Sequence, residues 1–556
     1  MPLASGAASG AAPARALFAP QFVGSEIPAE RDTPLAHVPW LRMVQAPAPY
    51  ARADWLATMH EWIRYPERNS SSIRRCEVWA EEAHEGEEGL QYRCVRRLLP
   101  RRTQIDRGML QECAVYTYAT HAVVVYTTLR ASDQASEPIN PSILTQRSLE
   151  DVPQRPDDVP YYHPAVRGVA FHFFAHPHEG HQVCVDFAPF SLVEQRTALG
   201  ENGRLGRTAL SLLRLLHQHS YGHATDYTKR VVHDVLVPRD EYQDLYIALR
   251  TQYASTLLQS WREVTDPKKH VFEDLGIAAY LMLLWRDMFP APAPNDDPRR
   301  GQRWGHPPGG FVDIGCGNGL LVHILHLEGY SGYGMDARAR KSWALYAEQG
   351  TKLTASLLDA PAILRGDARL PTGAFLIGNH ADELTPWIPL LATSTRDCAG
   401  FLNIPCCAWT LEGARFTPTQ ARLDNDELAQ LVLGCPWQGE ARMPTSPHRT
   451  PSDVASLLSV TLWFAQRLTK SPDENAHSKH LAYYAYVTHL HMQAGWCLES
   501  EALRIPSTKN WALVGRRRVD ATGIPGAESR AQQWSALASY AATLTGTMVA
   551  HAGAHD

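Results

Sequence analysis

Hydrophobic positions along the chain follow two periods, and each predicts a different kind of element. Over residues 114–129 (AVYTYATHAVVVYTTL) β-branched and aromatic residues crowd together as in paired strands. Residues 166–174 and 182–187 read the same way, with His176-Pro177-His178-Glu179-Gly180 as the turn between them. From residue 239 the spacing becomes helical. Residues 240–264 predict one helix, and Thr265 caps a second, with Asp266 and Pro267 in its first turn, that runs to Met288. Residues 290–308 (PAPAPNDDPRRGQRWGHPP) end it. Short apolar runs then alternate with helical stretches. Strands are expected over 311–314, 330–335, 362–364, 374–378 and 399–404, and helices over 320–327, 340–348, 454–468 and 478–494. A closing antiparallel pair is expected over 496–499 and 511–515. The alternation predicts an α/β fold, a doubly wound sheet with ligands at its strand C-termini. The expected organisation is a flexible leader over 1–35, a mixed α+β domain over 36–238, a catalytic domain with leading helices over 239–518 and a tail over 519–556.

The turn after the first strand of that sheet carries three glycines. Asp313, Gly315, Gly317 and Gly319 spell D-x-G-x-G-x-G, a helix follows directly, and Asp336 closes the second strand. Backbone at such a turn approaches a ligand closely, and the helix N-terminus faces it. An acid at the end of the second strand sits where ribose hydroxyls are held. A dinucleotide-binding turn would need Gly or Ala at the position of Leu320, and no Lys-Ser/Thr follows for a phosphate loop. The arrangement resembles motif I of class I methyltransferases, which use S-adenosylmethionine and have a Rossmann-like sheet with an antiparallel last strand. That resemblance implies cofactor contacts from Asp313, Gly315, Gly317, Gly319, Asp336 and Asn379, with Asp367 near the adenine.

Composition narrows the setting. In 556 residues, 44% hydrophobic, there is material for more than one core. Ten cysteines include no C-x-x-C pair, so reduced thiols in an intracellular compartment are expected. The first residues show no secretory signal and no apolar run of membrane-spanning length, which predicts a soluble, cytoplasmic protein. The net charge of −5 gives no global reason to expect nucleic acid. Charge is segregated locally, however. Glu77, Glu81, Glu82, Glu85, Glu87 and Glu88 precede Arg93, Arg96, Arg97, Arg101, Arg102 and Arg107, which form either two faces that neutralise each other or a phosphate-binding surface. His163, His172, His176, His178 and His181 do not spell the H-E-x-x-H of a helical metal site, a turn in a polar hairpin accounts for them, and no metal is expected from them.

The loop after the fourth strand, IGNHADELTPWIP, is the second concentration of chemistry. Thr385-Pro386 predicts a helix start, which leaves Asn379 to Leu384 as loop over the crevice, with His380, Asp382 and Glu383 grouped in it. Amine methyltransferases typically show D/N-P-P-Y/F here, so Asn379-His380-Ala381-Asp382 points away from amine methylation. FVDIGCGNGLLVHIL, IGNHADELTPWIP, IPCC at 404–407, RIPSTKN at 504–510, DPKKHVFEDLGIAAYL, YTKRVVHD at 227–234 and YYHPAVRGVAFHF together resemble the tRNA(Ser) uridine-44 2'-O-methyltransferases of eukaryotes. The resemblance spans most of residues 90–515 and implies methylation of a ribose 2'-hydroxyl in serine tRNA. Some relatives carry a C-terminal Cys/His zinc finger; none is expected here, so the resemblance does not imply zinc. Ribose methylation needs a group to accept the hydroxyl proton. Asp382 is the leading base and His380 its rival, with Asn379 and Glu383 in the same loop. Arg504 and Lys509, together with Arg96, Arg97, Arg101 and Arg102, are candidates for holding RNA. Cys406 and Cys407, at the end of a strand, are expected to pack rather than act as nucleophiles. A catalytically inactive tRNA-binding scaffold and a methyltransferase acting on another substrate remain alternatives.

Overall fold

The computed structural model describes residues 18–27, 35–129 (except 36, 85, 87, 103 and 104), 152–176, 180–225, 233–417, 479–518 and 527–544. The expected helix over 454–468 and the turn residues 177–179 lie outside the described residues, as do most of the expected leader and of the YTKRVVHD segment. The chain divides into two compact units, 1–228 and 229–556.

The first unit is an eight-stranded antiparallel sheet. Its strands are β1 (Gln21–Ile27), β2 (Trp40–Ala48), β3 (Ile73–Ala83), β4 (Gly89–Pro100), β5 (Met109–Thr117), β6 (His121–Leu129), β7 (Gly168–His176) and β8 (Gly180–Ala188), in the order β1-β2-β8-β7-β6-β5-β4-β3. Alternate side chains of a strand face opposite sides. Accordingly Cys113, Val115, Val124, Phe171, Phe173, Val183 and Val185 join one core with the helices α1 (Arg52–Arg64) and α3 (Arg204–Ala224). Ala114, Tyr116, Val123, Val125 and Ala170 join another with Leu35 and Trp40. Helix α1 contributes Trp55, Met59, Trp62 and Ile63, and α3 contributes Leu205, Ala209, Leu213 and Leu216, at three- and four-residue spacing. A four-residue helix α2 (Arg196–Leu199) precedes α3. Residues 21–27, expected within a flexible leader, instead form the edge strand β1. Its backbone pairs with β2, and Phe22 packs against the core.

The second unit holds the doubly wound sheet. Two helices lead it, α4 (Arg239–Gln259) and α5 (Pro267–Met288). Then come β9 (Phe311–Ile314), α6 (Leu320–Leu327), β10 (Gly332–Asp336), α7 (Lys341–Glu348), β11 (Leu353–Ala355), α8 (Ala360–Arg365), β12 (Phe375–Asn379), α9 (Ile388–Ser394) and β13 (Gly400–Ile404). The described chain continues with α10 (Lys479–Gln493), β14 (Glu499–Ala502), β15 (Trp511–Gly515) and α11 (Ala527–Thr543). Strand order is β11-β10-β9-β12-β13-β15-β14, with the strands from β11 to β13 in that order parallel and β15 antiparallel to both of its neighbours, β13 and β14. The expected class I architecture is therefore present.

Helix α5 explains how the site receives its leading residues. Asp266, rather than Thr265, caps it: Asp266 Oδ1 accepts the Lys268 N–H at 3.0 Å, and Pro267 occupies the first turn. From Leu275 to Trp285 the helix is buried on every side, and the Trp285 ring lies 5.8 Å from Phe311 and 5.4 Å from Phe375. Ahead of this apolar stretch its first turns carry Lys269, His270, Glu273 and Asp274 at helical spacing, and Arg286 and Asp287 follow it in the last turn.

Three expected boundaries shift for identifiable reasons. Residues 362–364 belong to α8 and not to a strand. Asp359 Oδ1 accepts the Ala362 N–H at 2.9 Å, and Gly366 closes the helix at φ 86°. The third strand is β11, beside β10. The helix start expected at Thr385-Pro386 is interior to a 3₁₀ segment, Asp382–Trp387, which runs into α9. Strand β14 begins at Glu499, because Trp496 is buried, forms a lone bridge with Arg518 and donates Nε1–H to Thr393 Oγ1 at 2.8 Å. Among the described residues no helix is long and apolar enough to cross a membrane.

Candidate active site

The turn between β9 and α6 is held open as a backbone cradle. Gly319 takes φ 76° as the residue entering α6, and a Cβ there would meet Leu353 at 2.8 Å. Gly317 takes φ 53°, and a Cβ on it would meet nothing within 4 Å, so its peptide borders free space. Asp336 Oδ2 accepts the Gly317 N–H at 2.9 Å and ties the turn to the end of β10. From the other side Trp343 Nε1 donates to Gly317 O at 3.0 Å, and Ser342 Oγ to Asn318 O at 2.7 Å.

This turn borders two hollows. One, of about 290 Å³, runs past Ile314, Asp336 and Arg338 to Ser356, Leu357 and Leu358. The other, of about 330 Å³, is lined by Lys269, Glu273, Asp274, Asp313, Asn379, Ser507 and Lys509. Gly315 and His380 line both. A nucleoside fits the first hollow, with an acid at its ribose end and apolar side chains for a base. The second is rich in carboxyl groups. Asp313 is 1% exposed and its Oδ1 has no partner; burial and the Asp336 carboxylate push it up to about 8. Asp274 is likewise raised, by burial and by Glu273 and Asp313. An ammonium and a sulfonium are what such a lobe accommodates, since each relieves an uncompensated buried carboxyl. The residues present thus fit S-adenosylmethionine: Asp336 for the ribose hydroxyls, Gly315 and Gly317 for close backbone approach, Asp313 for the amino group.

The loop after β12 lies where the hollows meet. His380 and Asp382 adopt φ 52° and 45°, a left-handed conformation that costs a non-glycine residue roughly 1–2 kcal/mol and persists only where surroundings enforce it. The enforcing contact on His380 comes from α5, where Glu273 Oε1 lies 2.9 Å from His380 Nε2. Burial opposes ionisation of Glu273, yet the His380 hydrogen bond and charge outweigh it and leave its pKa below the ordinary value. Asp382 is exposed, and its Oδ1 accepts the Cys406 thiol at 3.3 Å. Asp382 and Glu383 line the first hollow, and Asn379 Nδ2 reaches Asp274 Oδ1 at 3.5 Å.

The structure therefore gathers Asp313, Gly315, Gly317, Asp336, Asn379, His380, Asp382, Glu383 and Lys509 around one crevice, while Gly319 lines neither hollow and shapes the turn where it enters α6. Other expected residues fall elsewhere. Asp367, expected near the adenine, does not line the crevice; it follows α8 and pairs with Arg365 at 2.9 Å, and the first hollow is lined there by Leu357 and Leu358. Arg504 is paired with Asp234 through Nε at 2.7 Å and lines neither hollow. Arg96 cannot meet a phosphate. It is 1% exposed, donates to Trp62 O at 2.7 Å and to Ile63 O, and so caps the C-terminal end of α1, while Nε and Nη2 donate to Gln111 Oε1. Arg93 pairs with buried Glu112, and Arg97 stands 3.9 Å from Glu77 across the β3–β4 hairpin, so the acidic and basic runs do partly neutralise each other. Arg97, Arg101 and Arg102 keep exposure at the surface. Cys406 and Cys407 are half-buried and line the crevice, one in each hollow, instead of packing in the core. Burial and Asp382 push both thiols above their ordinary value, which disfavours a nucleophilic thiolate. His172 Nε2 pairs with Asp186 at 3.0 Å, and the His163 ring nitrogens meet Gln111 and Pro164 O.

Lys269, Glu273 and Asp274 are site residues that sequence reasoning did not single out. Their signal is a charged pair, Glu273-Asp274, directly ahead of the long apolar stretch from Leu275 to Trp285.

Residues 21–230 match the family described as TRM44-like, N-terminal bet v1-like domain, and residues 236–358 that described as predicted AdoMet-dependent methyltransferase. Curated relatives are similar over most of their length. The tRNA (uracil-O(2)-)-methyltransferase of Neurospora crassa is 37% identical over 77% of this chain and 73% of its own. That of Schizosaccharomyces pombe is 33% identical over 86% and 85%, and that of Yarrowia lipolytica 32% identical over 77% and 70%. No solved structure matches the chain.

Proposed function

Because the chain belongs to the family of tRNA (uracil-O(2)-)-methyltransferases, we propose that it methylates the ribose 2'-hydroxyl of uridine 44 in tRNA(Ser), in the cytoplasm. It is an S-adenosylmethionine-dependent enzyme acting on tRNA. The bound cofactor supplies an electrophilic methyl group on a sulfonium. The residues of this chain hold it, exclude water and manage one proton. Gly315, Gly317 and Asp313 fix the amino-acid half, and Asp336 the ribose. Held there, the cofactor would donate its methyl group to the 2'-oxygen and be released as a neutral thioether, the hydroxyl proton passing to a residue of this chain. Asp382 takes the hydroxyl proton, held towards the crevice by its left-handed backbone and by the Cys406 thiol. Glu273 orients His380 beside it. Lys509, which lines the second hollow, faces the incoming ribose phosphate.

The observation that supports this reading best is the meeting of the two hollows at the His380–Asp382 loop, where a group outside both reaches the methyl position. Full-length protein with methyl-labelled cofactor and transcribed serine tRNA provides the test. One methyl per tRNA is expected, at U44, and none with 2'-deoxyuridine there. A methyl on the base, on another nucleotide, or on a different tRNA in preference would overturn the assignment.

A further inference from the structure

The Cys406-Cys407 pair has a geometry that methyl transfer does not call for. In a continued strand two neighbouring side chains face opposite sides. Here β13 ends at Ile404, and a bend at Cys407 turns the chain. Both sulfurs and a carboxylate oxygen of Asp382 consequently lie within 4.8 Å of one another. Both thiols are free. Cys406 borders one hollow, Cys407 and Asp382 the other, so the open side of the cluster faces the crevice.

Two sulfurs and one carboxylate oxygen form a donor set for a soft divalent ion. Zinc takes thiolates at about 2.3 Å and carboxylates at about 2.0–2.2 Å in a tetrahedron, which places ligand atoms roughly 3.5–3.8 Å apart. The observed spread reaches that by side-chain movements of about 1 Å. His380 is not available as a fourth ligand through Nε2, which is committed to Glu273. We propose that Asp382, Cys406 and Cys407 form a binding site for one thiophilic divalent cation of the zinc class, open on its fourth side to the crevice. Lys509 acts on both sulfurs and Arg415 on that of Cys407, and their charge opposes the ion. The site is therefore of moderate affinity, filled and emptied with the supply of metal. Its consequence rests on the assignment of Asp382 as base: a carboxylate held by a dication accepts a proton poorly, so an occupied site slows methyl transfer.

Binding and consequence are tested separately. Full-length reduced protein, stripped with a chelator, is titrated with Co²⁺, whose thiolate charge-transfer absorption reports sulfur ligation. One equivalent with that absorption is expected, displaced by Zn²⁺. Cys406→Ser and Cys407→Ser should each weaken binding at least tenfold, Asp382→Asn should weaken it while keeping the absorption, and Lys509→Ala should tighten it. Calorimetry of S-adenosylmethionine on each variant reports whether it is folded. No absorption at any Co²⁺ concentration, or the same absorption in the folded double serine variant, overturns the site. If Co²⁺ and Zn²⁺ bind as expected but leave methyl transfer at full rate, the site stands and Asp382 is not the base.

Discussion

At the scale of single residues, the acids of the crevice have separable duties. Asp336 is tied to the turn, since its Oδ2 accepts the Gly317 N–H, and its side chain lines the first hollow, where the proposed mechanism has it hold the ribose. Asp336→Ala should weaken S-adenosylmethionine binding at least tenfold, about 1.4 kcal/mol, by calorimetry; unchanged affinity would remove the ribose from this place. Asp313 makes a pH prediction. Its folded pKa of about 8 stands above the roughly 3.9 of an unfolded chain, so the folded state binds the proton more tightly. The stability it contributes is present below pH 4 and lost as pH rises to about 8. The melting temperature of the cofactor-free protein should therefore fall through that window relative to Asp313→Asn, and a constant difference between the two would contradict the buried protonated acid. For catalysis, Asp382→Asn keeps shape and removes charge. Turnover should drop by roughly 10²–10⁴ with cofactor and tRNA still bound. Should His380→Ala be the dead variant instead, with Asp382→Asn at the wild-type rate, the proton goes to the imidazole that Glu273 orients.

At the scale of elements, features set by local spacing are legible in the sequence. The glycine turn, Asp336 and the polar loop at 379–383 depend on spacings within one βα unit, and the structure places them where the pattern implies. Glu273 and Lys269 lie more than a hundred residues before that loop, and only sheet closure brings α5 over the crevice; no local period carries that information. Arg96 shows a different failure. A run of arginines suggests one basic surface, but neighbours on a strand point to opposite faces. On β4, Arg97 faces Glu77 and Trp79 on the surface, so Arg96 is driven inward, where the carbonyls of Trp62 and Ile63 take it up. Similarly, the apolar run at 362–364 has the length of a strand, but Asp359 and Gly366 bracket it as a capped helix. Removing the cap on α1 is a clean test. Arg96→Met should destabilise the full chain by roughly 2–3 kcal/mol in denaturant unfolding, through a lost charged hydrogen-bond donor and the helix dipole. Its tRNA affinity under native conditions should stay unchanged; the opposite pattern would restore Arg96 as an RNA contact.

At the scale of the whole molecule, the chemistry occupies the second unit, while the β3–β4 hairpin of the first carries the exposed remainder of the arginine run. Arg102 is 61% exposed and only loosely engaged by Asp106 at 3.3 Å; Arg97 rests on Trp79 with Glu77 near; Arg101 reaches the Ile73 carbonyl at 3.5 Å. Surface pairs of this kind are worth little, about 0–1 kcal/mol, so a phosphate competes successfully for these guanidinium groups. A net charge of −5 makes such a local surface necessary if a polyanion is to be held at all. Replacing Arg97, Arg101 and Arg102 together by Glu should weaken tRNA binding. It should also flatten the dependence of log affinity on log salt by roughly two to three units, about one for each phosphate no longer neutralised. S-adenosylmethionine affinity should not move, because no residue of the crevice lies in the first unit. The two readouts separate the explanations. A fall in both affinities reports misfolding, and a fall in tRNA affinity alone, with a shallower slope, reports an RNA surface. If tRNA affinity and slope both survive, these arginines serve only the hairpin, and the RNA is held by the second unit.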